Sequence, residues 1–565
     1  MQFITKLKDC HAKIGQFTIN KKSVITPNIF FIKTKRFQPP CFADIFLSYD
    51  GKATNKPIIN AKKNNLEDRE DFYKYKKKDL IIIKYASQLY HHPSKFVDTI
   101  INIKNRIDYN YALYIPVICK PSNLSLLTYM GIDFFDSIYA IIAARNKVLL
   151  FSDGEYPVDD LTEIPCNCEI CCKVKNNKDM SFEKMLKHNY FALYNELKLV
   201  RNIIKKSDLR SLVEKRVKSD PALTAILRNI DMNYYSFFEE KTPVSSSNII
   251  YANTKESMSR PEIKRFQDRV IERYKKPVSA KICIMLPCSL KKPYSFSESH
   301  RFFIEKIQSI TNPNVVHEVI ITSPLGIVPR ELELTYPASN YDIPVTGIWD
   351  EDEKKMIRDQ LKAYLKNNNY DAIIMHLPLE IIKFTKDLID SPIVTSIDKP
   401  LSKKSLEKLA LILKKETCKY EKITNQTRNF ENIKSFALYQ FGLKPTEFLM
   451  NKSLIKGIYP YYKIISENKQ IGMVVKERGL ISLTLDGAKR LLKSNDYWVE
   501  IYGDFELIGS VFAPGVKNAD NKIRKGDDVV IIKDGKLEGI GVAQMNGHEM
   551  INSNYGEAIK VRHRV

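Results

Sequence analysis

Three cysteines crowd into six residues, Cys166-Asn167-Cys168-Glu169-Ile170-Cys171, and His188 follows on a stretch with helical periodicity. This C-x-C-x2-C spacing with a downstream His constrains the fold more than any other feature of the chain. Three thiolates and one imidazole fill a tetrahedral zinc shell, so Cys166, Cys168, Cys171 and His188 read as ligands of a structural zinc with no open position. Chance clustering is improbable, because only 10 Cys are spread over 565 residues. That Cys content does not make a disulfide scaffold, and in a reducing compartment a local cluster means metal or catalysis. Free buried thiols are the plainer alternative. Cys172 is a substitute ligand that breaks the spacing, and a catalytic zinc would need a vacant position for water.

The rest of the chain is long enough for roughly three to five domains. Hydrophobic residues make up 44% and charged residues 27%, which is globular composition. With 89 basic against 66 acidic residues, the net charge of +23 disfavours an enzyme of small neutral substrates. It favours a polyanionic partner, nucleic acid first, although a Lys-rich compositional bias gives a similar sum. The longest apolar stretch without charge, about Pro121 to Ile132, is too short to span a bilayer. The N-terminus has no apolar core of signal-peptide length, so no membrane partner and a cytoplasmic location are expected.

Along the chain, no repeat of solenoid period is visible. Residues 1–205 mix short apolar runs (Asn28 to Ile32, Leu80 to Ile83, Tyr111 to Cys119) with polar connections, then the Cys knot and a helical stretch. Residues 206–277 read as a charged helical connector. Residues 278–415 alternate strands (Lys281 to Leu286, His317 to Thr322, Asp371 to Met375, Pro392 to Thr395) with helices. The helix Ser299 to Ile310 carries Phe303, Ile304, Ile307 and Ile310 on one face. The helix Asp350 to Leu365 opens with a capping box from Asp350 and Glu353 and buries Ile357, Leu361, Tyr364 and Leu365. Apolar strands separated by helices imply a parallel sheet covered on both faces. Residues 420–492 look α+β, and 495–565 all strand and turn, with glycines spaced as in a small barrel.

Gly131-Ile132-Asp133-Phe134-Phe135-Asp136-Ser137, the three cysteines and His188-Asn189 together resemble the archaeal-type tRNA-guanine transglycosylases. Tyr439-Gln440-Phe441-Gly442 and Leu483 to Ala488 resemble that family's tRNA-contacting domain. Val511 to Val516, Arg524-Lys525-Gly526-Asp527 and Gly541-Val542-Ala543 resemble a PUA domain, a small RNA-binding barrel. Two features depart from the transglycosylases. Asp136 stands where their nucleophile would be, but no Asp-Ser-Gly stretch supplies a second carboxylate. Only about 135 residues precede Asp136, too few for most of a (β/α)8 barrel. Asp136 therefore reads as a relic with a structural role.

Pro287-Cys288-Ser289-Leu290-Lys291-Lys292-Pro293-Tyr294-Ser295-Phe296-Ser297-Glu298-Ser299-His300, Tyr336 to Gly347 and Trp349-Asp350 resemble the signature of the archaeosine synthase family, paralogues of the transglycosylases. The resemblance spans essentially the whole chain and is weakest before about Asp98. It implies a multidomain α/β and α+β architecture: an incomplete TIM-barrel-like domain with a zinc knot, a central α/β parallel-sheet catalytic domain, a tRNA-contacting α+β domain and a PUA β-barrel. It implies a transferase acting on tRNA that carries 7-cyano-7-deazaguanine (preQ0) in its D-loop. An amine, in the family free lysine, is added to the nitrile, and a separate radical-SAM lyase then leaves the amidine of archaeosine. A homodimer is compatible with this reading. The rivals are an active transglycosylase and a non-catalytic tRNA-binding subunit.

Cys288 lies at the carboxyl end of the strand Lys281 to Leu286, where open parallel sheets bind ligands, and its loop enters the next helix N-terminus. Lys291, Lys292 and that terminus are expected to lower its pKa toward neutrality. A thiolate attacks a nitrile carbon to give a thioimidate, and an incoming amine displaces it. His300 is placed to shuttle protons, and Asp342 to orient it or hold the incoming ammonium. Ser289, Lys291, Lys292, Tyr294 and Ser297 are the expected substrate contacts, with Tyr294 and Phe296 able to stack on a flipped base. The alternatives stay open: Cys288 as a buried turn residue with direct amine addition, His300 as a helix cap, the lysines as solvated, Phe296 as packing. Ser295, Ser297 and Ser299 suggest capping, and Cys283 belongs to the core. In the tail, Lys560, Arg562, His563 and Arg564 are the expected RNA contacts, or else an exposed basic strand.

Overall fold

The computed structural model describes residues 2–19, 22–48, 66–75, 79–503 and 506–565. It divides into two compact units: residues 1–242 with 512–514 and 551–556, and the remainder from 243 onward. The boundary falls inside the expected connector 206–277 and splits it. Its first helices, Leu209–Arg216 and Pro221–Asn233, bury Leu209, Val213, Ile226 and Ile230 in the same core as the N-terminal strands. Apolar burial, not the charge of the segment, decides where it belongs.

In the first unit the run Asn28 to Ile32 becomes the strand Asn28–Lys33, whose first five residues are all buried. A strand buried on both faces needs a continuous apolar run, and NIFFI supplies it. The sheet places Ile45–Ser48, Asn28–Lys33, Phe134–Asp136, Ala112–Tyr114 and Leu80–Ile83 side by side in that order, all parallel. Phe134–Asp136, the last of these in the chain, thus lies beside Asn28–Lys33, the first. Phe72–Tyr75 and Leu66–Asp68 extend the sheet antiparallel.

In the second unit a five-stranded sheet centres on Ile282–Pro287. Val316–Thr322 and Ala372–Met375 flank it in parallel, and Ile393–Val394 follows beyond the latter. The expected wholly parallel sheet is corrected at one edge, where Gly326–Pro329 runs antiparallel to Val316–Thr322. Only residues 323–325 separate these two strands, and a parallel crossover needs about a dozen residues. Helix Glu298–Gln308 buries Phe303 and Ile307 against Ile282, Ile284 and Leu286, and helix Lys403–Thr417 adds Leu409 and Leu413. Ile304, expected on that buried stripe, is only half-buried. Helix Glu351–Asn367 carries the expected capping box of Asp350 and Glu353.

The chain leaves Ile282–Pro287 toward one side of the sheet and later returns to the other. Neighbour order therefore reverses at the carboxyl end of this strand, which is where open α/β sheets open a crevice for ligands. Residues 420–492 add helices Asn425–Phe441, Leu443–Met450 and Leu485–Leu492 around a four-stranded antiparallel meander, Ser453–Leu483. A six-stranded sheet closes the chain, and helix Gly547–Asn552 interrupts it, correcting the expectation of strand and turn alone. Gly547 marks a close approach within that helix: a Cβ there would lie 2.1 Å from the Asp520 carbonyl oxygen.

Candidate active site

Cys288 follows Ile282–Pro287 at the reversal point. Its thiol is surrounded by Thr322 from the end of the neighbouring strand, and by Lys292, Tyr294 and Tyr341. Tyr341 is held by the short parallel pairing of Tyr341–Asp342 with Ile250–Tyr251. Its hydroxyl meets Tyr294 Oη at 2.7 Å and Thr322 Oγ1 at 2.5 Å. The Lys292 ammonium stands 4.1 Å from the centre of the Tyr341 ring. Both tyrosines are buried, and Tyr294 is fully so, which leaves it no face for a stacked base.

Burial pushes the Cys288 thiol above its ordinary pKa, while the Thr322 hydroxyl and the Lys292 charge pull it back. The expected thiol near neutrality is therefore corrected: the wall around it is too apolar and aromatic for one lysine to offset. Burial equally pushes Lys292 below its ordinary range, with Cys288 and Asp342 opposing. Each group resists its charged form, so both rest neutral, and the neutral Lys292 amine is left able to accept the thiol proton as sulfur attacks. Lys291, by contrast, is exposed, and its carbonyl accepts from Ser289 Oγ at 2.9 Å. Asp342 is exposed, and its Oδ1 accepts from the Ile343 amide at 2.9 Å.

His300 is buried in the first turn of its helix, where Ser297 Oγ accepts from the His300 amide at 3.2 Å. Its Nε2–H donates to the Pro287 carbonyl at 2.9 Å, and Nδ1 accepts from Arg330 Nη2 at 2.8 Å. Burial and the Arg330 charge push its pKa down to about 3. The neutral ring has both nitrogens committed, and it fixes the backbone that carries Cys288. Arg330 is held by Glu318 and by Glu333, the latter at 2.8 Å. Glu333 also accepts from the Ser295 amide at 2.9 Å and from Tyr459 Oη at 2.5 Å. Sequence reasoning missed Thr322, Arg330 and Glu333, which no spacing connects to Cys288. Tyr341 sat inside the quoted Tyr336 to Gly347 motif without a role.

In the first unit, Asp136 is fully buried and its carboxylate is saturated. Oδ2 accepts from Tyr114 Oη at 2.7 Å and the Val117 amide at 2.9 Å, and Oδ1 from the Ile138 amide at 2.9 Å. Three donors from its own chain tie down a group that a nucleophile would need free.

The Cys166, Cys168, Cys171 and His188 donor atoms lie within 4.8 Å of one another, and this cluster could hold a metal ion. Cys171 Sγ is 3.3 Å and Cys168 Sγ 3.8 Å from His188 Nδ1. Donor atoms of a tetrahedral thiolate shell with bonds of about 2.3 Å stand roughly 3.8 Å apart, so the set fits. His188 Nε2–H donates to the Leu150 carbonyl at 3.2 Å, which fixes the tautomer and aims the Nδ1 lone pair at the thiols. Asn189 Oδ1 accepts from the Leu150 amide at 2.9 Å, so adjacent residues of helix Phe182–Lys205 grip the same strand residue. Cys172 is exposed and lies outside the cluster.

Comparison with known proteins bears on the family of the chain. Residues 74–222 match the model described as queuine tRNA-ribosyltransferase, 263–413 a domain of unknown function, and 506–565 the PUA domain. Archaeosine synthase subunit alpha of Methanosarcina acetivorans is 38% identical over 86% of this chain and 80% of its own length. The chain belongs to the archaeosine synthase family. As a member of the archaeosine synthases it is an enzyme, a transferase of tRNA archaeosine biosynthesis. Archaeosine synthase of Haloferax volcanii is 37% identical over 86% of this chain and 82% of its own length. The tRNA-guanine(15) transglycosylase of Methanobrevibacter smithii is more distant, 26% identical over 84% and 69%.

The PUA segment ends in strand Glu557–Arg564. Lys560, His563 and Arg564 are exposed, and Arg564 Nη1 donates to the Leu507 carbonyl at 3.3 Å. Arg562 is turned inward instead, donating to the Leu483 carbonyl at 3.0 Å and pairing with the buried Asp528. Among the described residues, no helix is long and apolar enough to cross a membrane.

Proposed function

We propose that the chain adds the side-chain amine of free lysine to the nitrile of preQ0 in tRNA, with Cys288 as nucleophile. The observation that carries this reading is the pairing of a thiol pushed up and an amine pushed down, Cys288 and Lys292, at the crevice of the central sheet. Lys292 takes the thiol proton, sulfur bonds to the nitrile carbon, and the proton ends on the nitrile nitrogen as a thioimidate. The lysine amine then adds to the same carbon. The carbon–sulfur bond breaks, the thiol regains a proton from the amine nitrogen, and an amidine remains. The sum is an addition, with no oxidant and no lost fragment.

His300 is a positioning residue here, holding the Pro287 carbonyl and so the Cys288 backbone. Asp342 and Lys291, both exposed, face incoming substrate, and Ser289 and Ser297 shape the loop between them. Asp136 keeps a structural role, and the parallel strands of the first unit are an incomplete barrel whose last strand pairs back on its first. The Cys166, Cys168, Cys171 and His188 set holds a structural zinc, which supplies a cross-link and no chemistry. Lys560, His563 and Arg564 contact tRNA phosphates, and a radical-SAM lyase completes the pathway as partner, in keeping with relatives named as an alpha subunit. Mass spectrometry of tRNA nucleosides after incubation with preQ0-tRNA and lysine tests the reading. A lysine adduct of the base is expected, and unchanged preQ0 with every amine offered would overturn it.

A further inference from the structure

A cavity of about 410 Å³ lies in the second unit beyond the Arg330–His300 pair, lined by helices Glu298–Gln308 and Asn425–Phe441 and by Tyr459 and Val474. Ser295, from the same loop as Cys288, forms part of its wall. Two charged groups of opposite sign face it with incomplete partners. Arg428 is 8% exposed; its side chain makes one hydrogen bond among the described residues, from Nη1 to the Asn314 carbonyl at 3.0 Å, and its charge also acts on Glu331. Its Nε and Nη2 donors remain. Glu318 gives Oε2 to the Arg330 guanidinium, and its Oε1 has no partner among the described residues. By contrast, Glu331 and Glu333 have both oxygens occupied, by Tyr274 and His317 and by Tyr459, Ser295 and Arg330.

The wall holds three carboxylates, Glu318, Glu331 and Glu333, against two guanidiniums, Arg330 and Arg428. A buried guanidinium with spare donors favours a carboxylate, which its planar fork binds through two parallel bonds. The half-buried Glu318 Oε1, turned to the cavity with no partner among the described residues, is a ready acceptor for an ammonium. The excess of one negative charge asks for a ligand that brings one net positive charge. Ile307, Phe436 and Val474 line the same cavity and suit a methylene stem.

We propose that this cavity is the binding site of a basic α-amino acid, its carboxylate on Arg428 and an ammonium on Glu318. The inference rests on the amine-addition reading above and deepens it, because it gives the amine donor a seat next to the Cys288 loop. The carboxylate contact makes the site select an amino acid over a plain diamine.

Titration calorimetry of the full-length chain with L-lysine and with cadaverine, which lacks the carboxylate, tests the site apart from turnover. Lysine is expected to bind at least tenfold more tightly than cadaverine. In Arg428→Gln that preference is expected to collapse to within about twofold, and Glu318→Gln is expected to weaken both ligands tenfold or more. Thermal melts of the two variants within a few degrees of the parent show that folding is retained, and an Arg428→Lys variant with partial recovery of the preference serves if Gln does not fold. Lysine binding that is absent in the parent, or a preference untouched by Arg428→Gln, would overturn the site. Lysine transfer to preQ0-tRNA with normal KM in Arg428→Gln would overturn the site alone and leave the amine-addition reading standing. Lysine bound as described, with no base adduct formed, would overturn that reading and leave the site.

Discussion

Asp136 and Cys288 each stand at the carboxyl end of a parallel strand, yet their surroundings differ in kind. The Asp136 carboxylate receives three hydrogen bonds from its own chain. Burial raises its pKa, and all three bonds act against that rise. Cys288 has a thiol that burial raises, beside an amine that burial lowers, and a carbonyl neighbour clamped by His300. A saturated buried group holds structure, whereas mismatched groups at a crevice hold a reaction in reserve. On the reading proposed above, the family likeness to transglycosylases at residues 74–222 marks ancestry, and the chemistry belongs to the central sheet.

The largest expected effect that sharpens this contrast is at Cys288. Cys288→Ala should lower lysine transfer on the order of 10³-fold while tRNA affinity stays within about twofold, as read by nucleoside mass spectrometry and filter binding. Lys292→Met should cost about 10²-fold in kcat. The sign of its pH dependence follows from the two shifts. With Lys292 present, its depressed pKa lets the neutral amine take the thiol proton, and the rate rises with pH from a low starting point. Without it, the rising limb moves to higher pH, toward the raised pKa of the isolated thiol, and a limb that stays in place would remove Lys292 from proton transfer.

Asp136→Asn inverts the test, because it should spare transfer within about twofold and cost roughly 1–3 kcal/mol of stability, an amide nitrogen now facing a backbone donor. A loss of activity matching that of Cys288→Ala would break the comparison. The metal cluster is a second structural site in the same unit. Chelation or Cys171→Ser should lower the melting temperature by roughly 6–12 °C, for about 3 kcal/mol, while Cys172→Ser leaves metal content unchanged by elemental analysis. The smallest effect belongs to the tail. Lys560→Ala should reduce the salt slope of tRNA binding by about 0.7–0.9, whereas Arg562→Ala should destabilise the fold, leaving the buried Asp528 with Arg478 as its single guanidinium partner, and leave the slope alone.

Much of this was legible in the residues because local chemistry carried it. The capping box at Asp350 and Glu353, the buried stripe of helix Glu351–Asn367 and the Cys/His cluster all depend on short spacings. The antiparallel edge strand Gly326–Pro329 went unread because a short apolar run beside another gives no period to measure. The roles around Cys288 were harder. Lys292 was visible as a nearby charge, but the sign of the Cys288 shift depends on burial, and two of the groups around the thiol, Thr322 and Tyr341, come from distant segments. His300 stood in the quoted motif, and only its two partners, Pro287 and Arg330, turn it from a proton shuttle into a clamp. Arg562 looked like its exposed neighbours until Asp528 came to meet it.

The central claim is covalent chemistry at Cys288, and trapping tests it most directly. Full-length chain incubated with preQ0-tRNA in the absence of any amine, digested with ribonuclease and protease, should yield the peptide containing Cys288 with the mass of the deazaguanine nucleotide attached. Addition of lysine before digestion should discharge it. An unmodified Cys288 peptide from a preparation that goes on to form the lysine adduct at full rate would contradict the account.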